Sequence, residues 1–223
     1  MENKRIYGFF GTPSYDLIIY LAGILTNLGK HVLVIDHSKD QDVMSCYVQS
    51  AESIEFFHYK GVDYTAEIKI SSINALEYDY IFLYRDEMVR EEIIYDGILI
   101  VSDFKKNNLK KAGEFARQYK EKVQYILRDY CNDKLNKNHI LKECLGVEPD
   151  SSDYNVIELD YYDYVYRIAL THEYHQGFRH ISKNYKQCLL KITEWMADPA
   201  EENLYKAYRL AKRGRSDGSS FLE

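Results

Sequence analysis

Between an apolar run ending at Phe10 and a helical pattern beginning at Tyr15 lies Gly11-Thr12-Pro13-Ser14-Tyr15-Asp16. A glycine-led loop that feeds a helix N-terminus is suited to hold a phosphate, because free backbone N–H groups and the positive end of the helix dipole face the anion. The full pattern for that chemistry is G-x-x-x-x-G-K-[ST], where the lysine grips the outer phosphates and the hydroxyl ligates Mg²⁺. Here Gly11 opens the loop and no lysine follows it. Asp16 adds a carboxylate to the first turn, which favours the helix by ~0.3–1 kcal/mol and repels an incoming phosphate. Thr12 or Ser14 supplies a helix cap and Pro13 suits the first helical position. The loop is therefore expected to satisfy the helix N-terminus with its own side chains.

Other reactive constellations are weaker. His172, His175 and His180 cluster in THEYHQGFRH, but the spacing is not H-E-x-x-H, and a surface turn explains them without a metal. Cys46, Cys131, Cys144 and Cys188 show no C-x-x-C spacing, so neither a zinc site nor a disulfide framework is expected. No catalytic residue is assigned. Asp160-Tyr161-Tyr162-Asp163-Tyr164 reads either as an exposed recognition surface or as a loop-to-helix junction capped by Asp160 or Asp163. Near the C-terminus, Leu204, Ala207, Tyr208 and Ala211 share one helix side, and Lys206, Arg209, Lys212 and Arg213 lie around the other. That thin apolar face lacks the bulky groups of membrane-surface helices. The basic residues form a candidate interaction tail.

The elements that must position these groups alternate. Residues 5–10 read as a strand, 15–28 as a buried helix stopped by Gly29, and His31–Asp36 as a fully apolar strand. Ser53–Tyr59 reads as a short strand and Gly61-Val62-Asp63-Tyr64 as a corner, followed by helix or loop to Leu76. Further strands are expected at Tyr78–Tyr84, Asp96–Ser102, Val123–Leu127 and Tyr154–Leu159. Helices are expected at Lys105–Lys120, Leu135–Leu145, Tyr164–Leu170, Phe178–Met196 and Ala200–Lys212. The alternation predicts an α/β fold with a single doubly wound, mostly parallel sheet flanked by helices. We divide the chain into a domain at 1–197 and a C-terminal helix and polar tail at 198–223.

With 46% hydrophobic and 29% charged residues the composition is that of a folded domain, and a net charge of −6 argues against general nucleic-acid binding. The 22 tyrosines accompany abundant Asn, Lys and Ile, which points to a composition-wide bias and not to a functional cluster. The start, MENKRIYGFF, lacks the apolar run of a signal peptide, and no stretch has the length of a membrane span. A cytoplasmic location is expected.

LAGILTNLGKHVLVID, EYDYIFLY, DGILIVSDFKKNNLKKAGEFA and VQYILRDYCNDKLNKNHILKECLG occur in an order that resembles the MinD/ParA branch of P-loop ATPases. That branch includes the TadZ/CpaE-type pilus-localisation proteins. The resemblance spans residues 4 to about 197. It implies a P-loop NTPase-like fold, protein partners in a larger assembly and a homodimer formed face to face across the loop Gly11–Asp16. The site positions depart from the family pattern. With the helix anchored on Leu21-Ala22, the loop is about four residues short of a Walker A loop. Ser14 falls at the phosphate-binding lysine and Tyr15 at the Mg²⁺-ligating hydroxyl. Asp36 keeps the acidic residue after the second strand, Ser38 stands for a second Asp, Tyr84 replaces the Walker B aspartate, and Arg128 replaces the base-recognising Asn.

Gly11, Thr12, Ser14, Tyr15, Asp16, Asp36, Tyr84 and Arg128 thus outline a vestigial nucleotide pocket with no cofactor of its own. Phosphoryl transfer depends on neutralising phosphate charge with lysine and Mg²⁺, and the residues for both are missing. The implied function is a catalytically inactive scaffold or regulator that positions a pilus or secretion system through protein contacts. The alternative is a divergent ATPase for localisation or DNA partitioning, binding ATP and Mg²⁺ through substitutes such as Lys4, Lys30 or Arg85. Membrane association through a partner, and a doubly wound fold whose first loop never held phosphate, stay open as further alternatives.

Overall fold

The structure is a computed structural model, and it describes residues 4–47, 56–66, 72, 77–86, 93–119, 122–131, 136–146, 153–173, 177–197 and 201–214. Eight strands form one sheet in the order β3-β4-β2-β5-β1-β6-β7-β8. They are β1 (Arg5–Gly11), β2 (Val32–Asp36), β3 (Phe56–Tyr59), β4 (Val62–Thr65), β5 (Tyr80–Arg85), β6 (Gly97–Asp103), β7 (Val123–Tyr130) and β8 (Tyr154–Glu158). All neighbouring strands pair in parallel except β3 with β4. The helices are α1 (Tyr15–Asn27), α2 (Asp42–Ser45), α3 (Lys106–Ala116), α4 (Lys137–Ile140, continued by a π turn over Leu141–Leu145), α5 (Tyr161–Glu173), α6 (Lys183–Met196) and α7 (Leu204–Lys212).

Side chains alternate across the sheet with a period of two, so each strand feeds two cores. Tyr7, Phe9, Val34, Phe82, Tyr84 and Ile126 face the layer containing α1, α6 and α7. Ile6, Phe10, Leu33, Ile81, Leu83 and Leu127 face the layer of α3 and α4. The central strands β2 and β5 are buried along their whole length, which explains their continuous apolar runs. Helix α1 lies between the sheet and the outer helices, and nine of its 13 residues are buried. Its end is a Schellman motif: Gly29, at φ +84°, donates to Thr26 O at 2.9 Å, and Lys30 donates to Leu25 O at 3.2 Å. The left-handed backbone there suits glycine, as the sequence implies.

The corner expected at Gly61–Tyr64 is instead strand. Lys60 and Gly61, both at positive φ, make a two-residue hairpin turn, and β4 continues from it beside β2. Helix α5 begins at Tyr161, three residues before the expected start, because Asp160 Oδ1 accepts from the amides of Tyr162 and Asp163. The capping role proposed for Asp160 holds. Asp163 is used differently: its carboxylate accepts from Ser182 Oγ at 2.7 Å. Helix α6 starts at Lys183, where Ser182 caps it, and the preceding Phe178 packs against Tyr20 of α1. Helix α7 buries Leu204, Ala207 and Ala211 and stands against α1, while Tyr208 donates to Lys186 O at 2.8 Å. Among the described residues, no helix is long and apolar enough to cross a membrane.

Candidate functional site

The loop after β1 lies at the carboxyl ends of the parallel strands, the usual place for a ligand in an open α/β sheet. Gly11 is required there by contact with the neighbouring strand. At φ +109°, a Cβ on it would sit 2.1 Å from the Val101 carbonyl oxygen. The amide of Thr12 then donates to that same oxygen at 2.9 Å. The loop is thus pinned to β6 through its first residues.

Ser14 occupies the N-cap position of α1, so Pro13 precedes the cap and is not the first helical residue. The expected side-chain cap is not formed. The Ser14 hydroxyl is fully buried and has no hydrogen-bond partner among the described residues. Tyr15 turns outward from the loop to α5, where its hydroxyl donates to Arg167 O at 3.1 Å.

Asp16 does not satisfy the first-turn amides either. Its oxygens accept from Arg128 Nη1 at 2.8 Å, Arg128 Nη2 at 2.5 Å and the Tyr185 hydroxyl at 2.9 Å. All three side chains are almost wholly buried, and the Arg128 guanidinium lies 5.3 Å from the centre of the Tyr185 ring. Burial by itself would raise the Asp16 carboxyl, but the Arg128 charge and the hydrogen bonds outweigh it and hold the group below the ordinary carboxylate range. Burial opposes the charge on Arg128 in the same way, and Asp16 reverses the effect. Burial raises the Tyr185 hydroxyl and keeps it protonated as a donor.

Period two along β7 places Arg128 on the α1 side with Ile126, and an irregularity follows at Asp129, which has φ +59°. Tyr185 comes from the inward face of α6. In the sequence it belongs to the apolar stripe of that helix with Cys188, Leu189 and Ile192, so nothing distinguishes it from an ordinary core residue.

The second acidic position is equally occupied. Asp36 accepts from the Ser38 amide at 3.0 Å, the Ser38 hydroxyl at 2.6 Å, the Val43 amide at 2.7 Å and the Met44 amide at 3.0 Å. It therefore closes the turn into α2, with Ser38 as its partner. Tyr84 sits between the two halves of the site and donates to Asp42 Oδ2 at 2.9 Å. Burial raises the pKa of Tyr84, reinforced by the Asp42 charge.

The structure brings Gly11, Thr12, Ser14, Asp16, Tyr84 and Arg128 to one place, with Asp36 linked to them through α2 and Tyr84. Tyr15 faces a different neighbour. On the other flank of the loop a cleft of about 660 Å³ opens toward α3, lined by Thr12, Pro13, Asp86, Ser102, Asn108 and Lys111 among others. Lys4 precedes the amino end of β1, and Lys30 follows the far end of α1, where it pairs with Glu201 at 2.8 Å. Both lie at the amino ends of the strands, opposite the loop at the carboxyl ends, so neither replaces the missing lysine. Arg85 is closer, and its Nη2 lies 3.0 Å from His37 Nδ1. His180 stacks on Tyr166, and His175 lies outside the described residues. Among the described residues no group of His, Cys, Asp or Glu is arranged to hold a metal.

No protein-family model matches the chain, and no curated protein sequence matches it. Solved structures do. The MinC:MinD cell division protein complex of Aquifex aeolicus superposes with a TM-score of 0.55 at 13% identity, covering 74% of this chain and 86% of that one. A ParA family ATPase from Chlorobium tepidum TLS gives a TM-score of 0.51 at 15% identity, covering 92% of this chain and 97% of that one. At such identities the likeness shows architecture and not activity. Strand order, parallel pairing and flanking helices together establish the fold as the MinD/ParA type of P-loop NTPase-like domain.

Proposed function

We propose that this chain is a nucleotide-independent relative of the MinD/ParA architecture, a scaffold or regulator acting through protein contacts. The observation that carries this reading is the buried Asp16–Arg128–Tyr185 cluster behind the α1 N-terminus. In a phosphate site the anion would meet helix amides and a lysine. Here an internal carboxylate is already neutralised by an internal arginine, and the amide of Thr12 is bound to the Val101 carbonyl. Without a lysine, a hydroxyl for Mg²⁺ or a free carboxylate on β5, a triphosphate has little to neutralise it.

The finer reading follows the TadZ/CpaE resemblance: a cytoplasmic protein that positions a pilus or secretion assembly. The MinD neighbour was solved in complex with MinC, which supports a life among protein partners. The exposed basic residues of the last helix, Lys206, Arg209 and Arg213 with the half-buried Lys212, offer one contact face beyond residue 197. A divergent ATPase is the second reading, favoured by the ParA family ATPase among the structural neighbours.

Thermal unfolding with and without millimolar ATP·Mg²⁺ separates the two. A ligand at about 100 times its Kd adds ~2.7 kcal/mol of stability, which raises Tm by roughly 5–10 °C for a chain of this size. An unchanged Tm is expected. A rise of that size would overturn the scaffold reading.

A further inference from the structure

Helix α5 has an outward face that a surface helix of a solitary domain does not normally show. Leu159, just before the helix, and Tyr161, Tyr162, Tyr164, Val165 and Ile168 on it are between 37 and 74% exposed. Of these, Tyr161, Tyr164, Val165 and Ile168 fall on one stripe at helical spacing, which His172 extends. The stripe bears no Asp, Glu, Lys or Arg. The charges of its neighbours are already engaged: Asp163 is buried against Ser182, and Arg167 lies 5.5 Å from the Tyr164 ring and 3.7 Å from Asp129 Oδ2. Clustered exposed apolar groups of this kind mark interaction surfaces, and tyrosines are enriched at their centres.

We infer that α5 is the contact face of a two-fold homodimer in which α5 packs antiparallel against α5 of a second copy. Two features favour a second copy over another partner. First, a face without charges can meet its own image at no electrostatic cost, although each chain carries a net charge of −6. Antiparallel packing also opposes the two helix dipoles and brings Asp160, at one helix N-terminus, toward His172 near the other's C-terminus. Second, the area is sufficient. With about 200 Å² for a whole aromatic side chain, the stripe offers roughly 400 Å² per copy, and the flanking Leu159 and Tyr162 bring this up to roughly 600 Å², or about 1,200 Å² in all, the lower end of the range of stable interfaces. This contact differs from a dimer built across Gly11–Asp16, and it is independent of whether the chain binds nucleotide.

In this register the two-fold axis passes between Val165 and Ile168, so Val165 of one copy faces Ile168 of the other. Sedimentation velocity of the full chain at tens of micromolar, with Val165→Glu, Ile168→Lys and their equal mixture, tests the arrangement. The wild-type chain is expected to be a dimer. Each variant alone is expected to be a monomer that keeps the wild-type circular dichroism spectrum, since both positions are exposed. The mixture is expected to regain the dimer through one Glu–Lys contact. A monomeric wild-type chain overturns the inference, as does a Val165→Glu dimer, which would place the contact elsewhere. A mixture that stays monomeric also refutes the register.

Discussion

Replacing Asp16 by Asn keeps the shape of the side chain and removes its charge. Arg128 then stays buried as a cation with a neutral neighbour, and its Nε already has no acceptor among the described residues. Two unit charges about 4 Å apart at an effective dielectric near 20 attract by ~4 kcal/mol. Loss of one partner from a buried pair typically costs ~3–5 kcal/mol. The expected outcome is therefore a loss of about 3–5 kcal/mol and a fall in Tm of roughly 10 °C. Urea unfolding followed by the fluorescence of Trp195, the single tryptophan, measures it directly. The contrast is the triple variant Asp16→Leu, Arg128→Met, Tyr185→Phe. It removes both charges and the hydroxyl that would otherwise lose its acceptor, and its stability should match or exceed that of the wild type.

The pH dependence follows from the depressed Asp16 carboxyl. A carboxyl whose folded pKa lies below its unfolded value of about 3.9 stabilises the fold above that value, and the contribution is lost as pH falls through the folded pKa. The gap between wild type and Asp16→Asn should thus be full at pH 7 and narrow as the medium is acidified below about pH 4. A single variant within 1 kcal/mol of wild type at pH 7 would refute the idea that this pair holds the site closed. A gap that widens in acid would refute it equally.

Two smaller perturbations probe the surrounding loop and helix. Ser14→Ala deletes a buried hydroxyl without a partner among the described residues, so stability should be unchanged or higher by a few tenths of a kcal/mol to ~1 kcal/mol in urea unfolding. A clear loss would mean that the hydroxyl has a partner in solution. Gly29→Ala forces a side chain into the left-handed region at φ +84°, where space is open, so backbone strain alone should cost ~1–2 kcal/mol. An unchanged midpoint would contradict the Schellman ending of α1.

The architecture is legible in the sequence because strand and helix periods are strong in the buried elements. HVLVID, YDYIFLY and DGILIVS are apolar throughout since helices cover both faces of their sheet, and Gly29 marks the end of α1 unmistakably. The hairpin at Lys60-Gly61 escaped because its first turn residue is a lysine in a conformation usually held by Asn, Asp or Gly. The candidate site was legible only by position. Loop, Asp36, Tyr84 and Arg128 could be placed near one another from the order of the strands. What Asp16 and Arg128 bind could not, because hydrogen bonds between residues 112 or more apart leave no local pattern. Hence Asp16 read as a first-turn carboxylate favouring the helix dipole, and Tyr185 went unmarked within the helix expected over Phe178–Met196.

The Asp16 cluster also constrains the order in which the chain can become native. Its carboxylate belongs to the first βαβ unit, its countercharge arrives 112 residues later and its tyrosine donor 169 residues later. Until β7 is in place, burying the start of α1 costs either an unpaired charge or the protonation of Asp16, so the amino-terminal unit completes its core at a penalty when alone. Docking of the α1 N-terminus is therefore coupled to the segment carrying Arg128, and it gains its last donor only when α6 docks. The start of α1 is thus tied energetically to segments that lie 112 and 169 residues further along the chain.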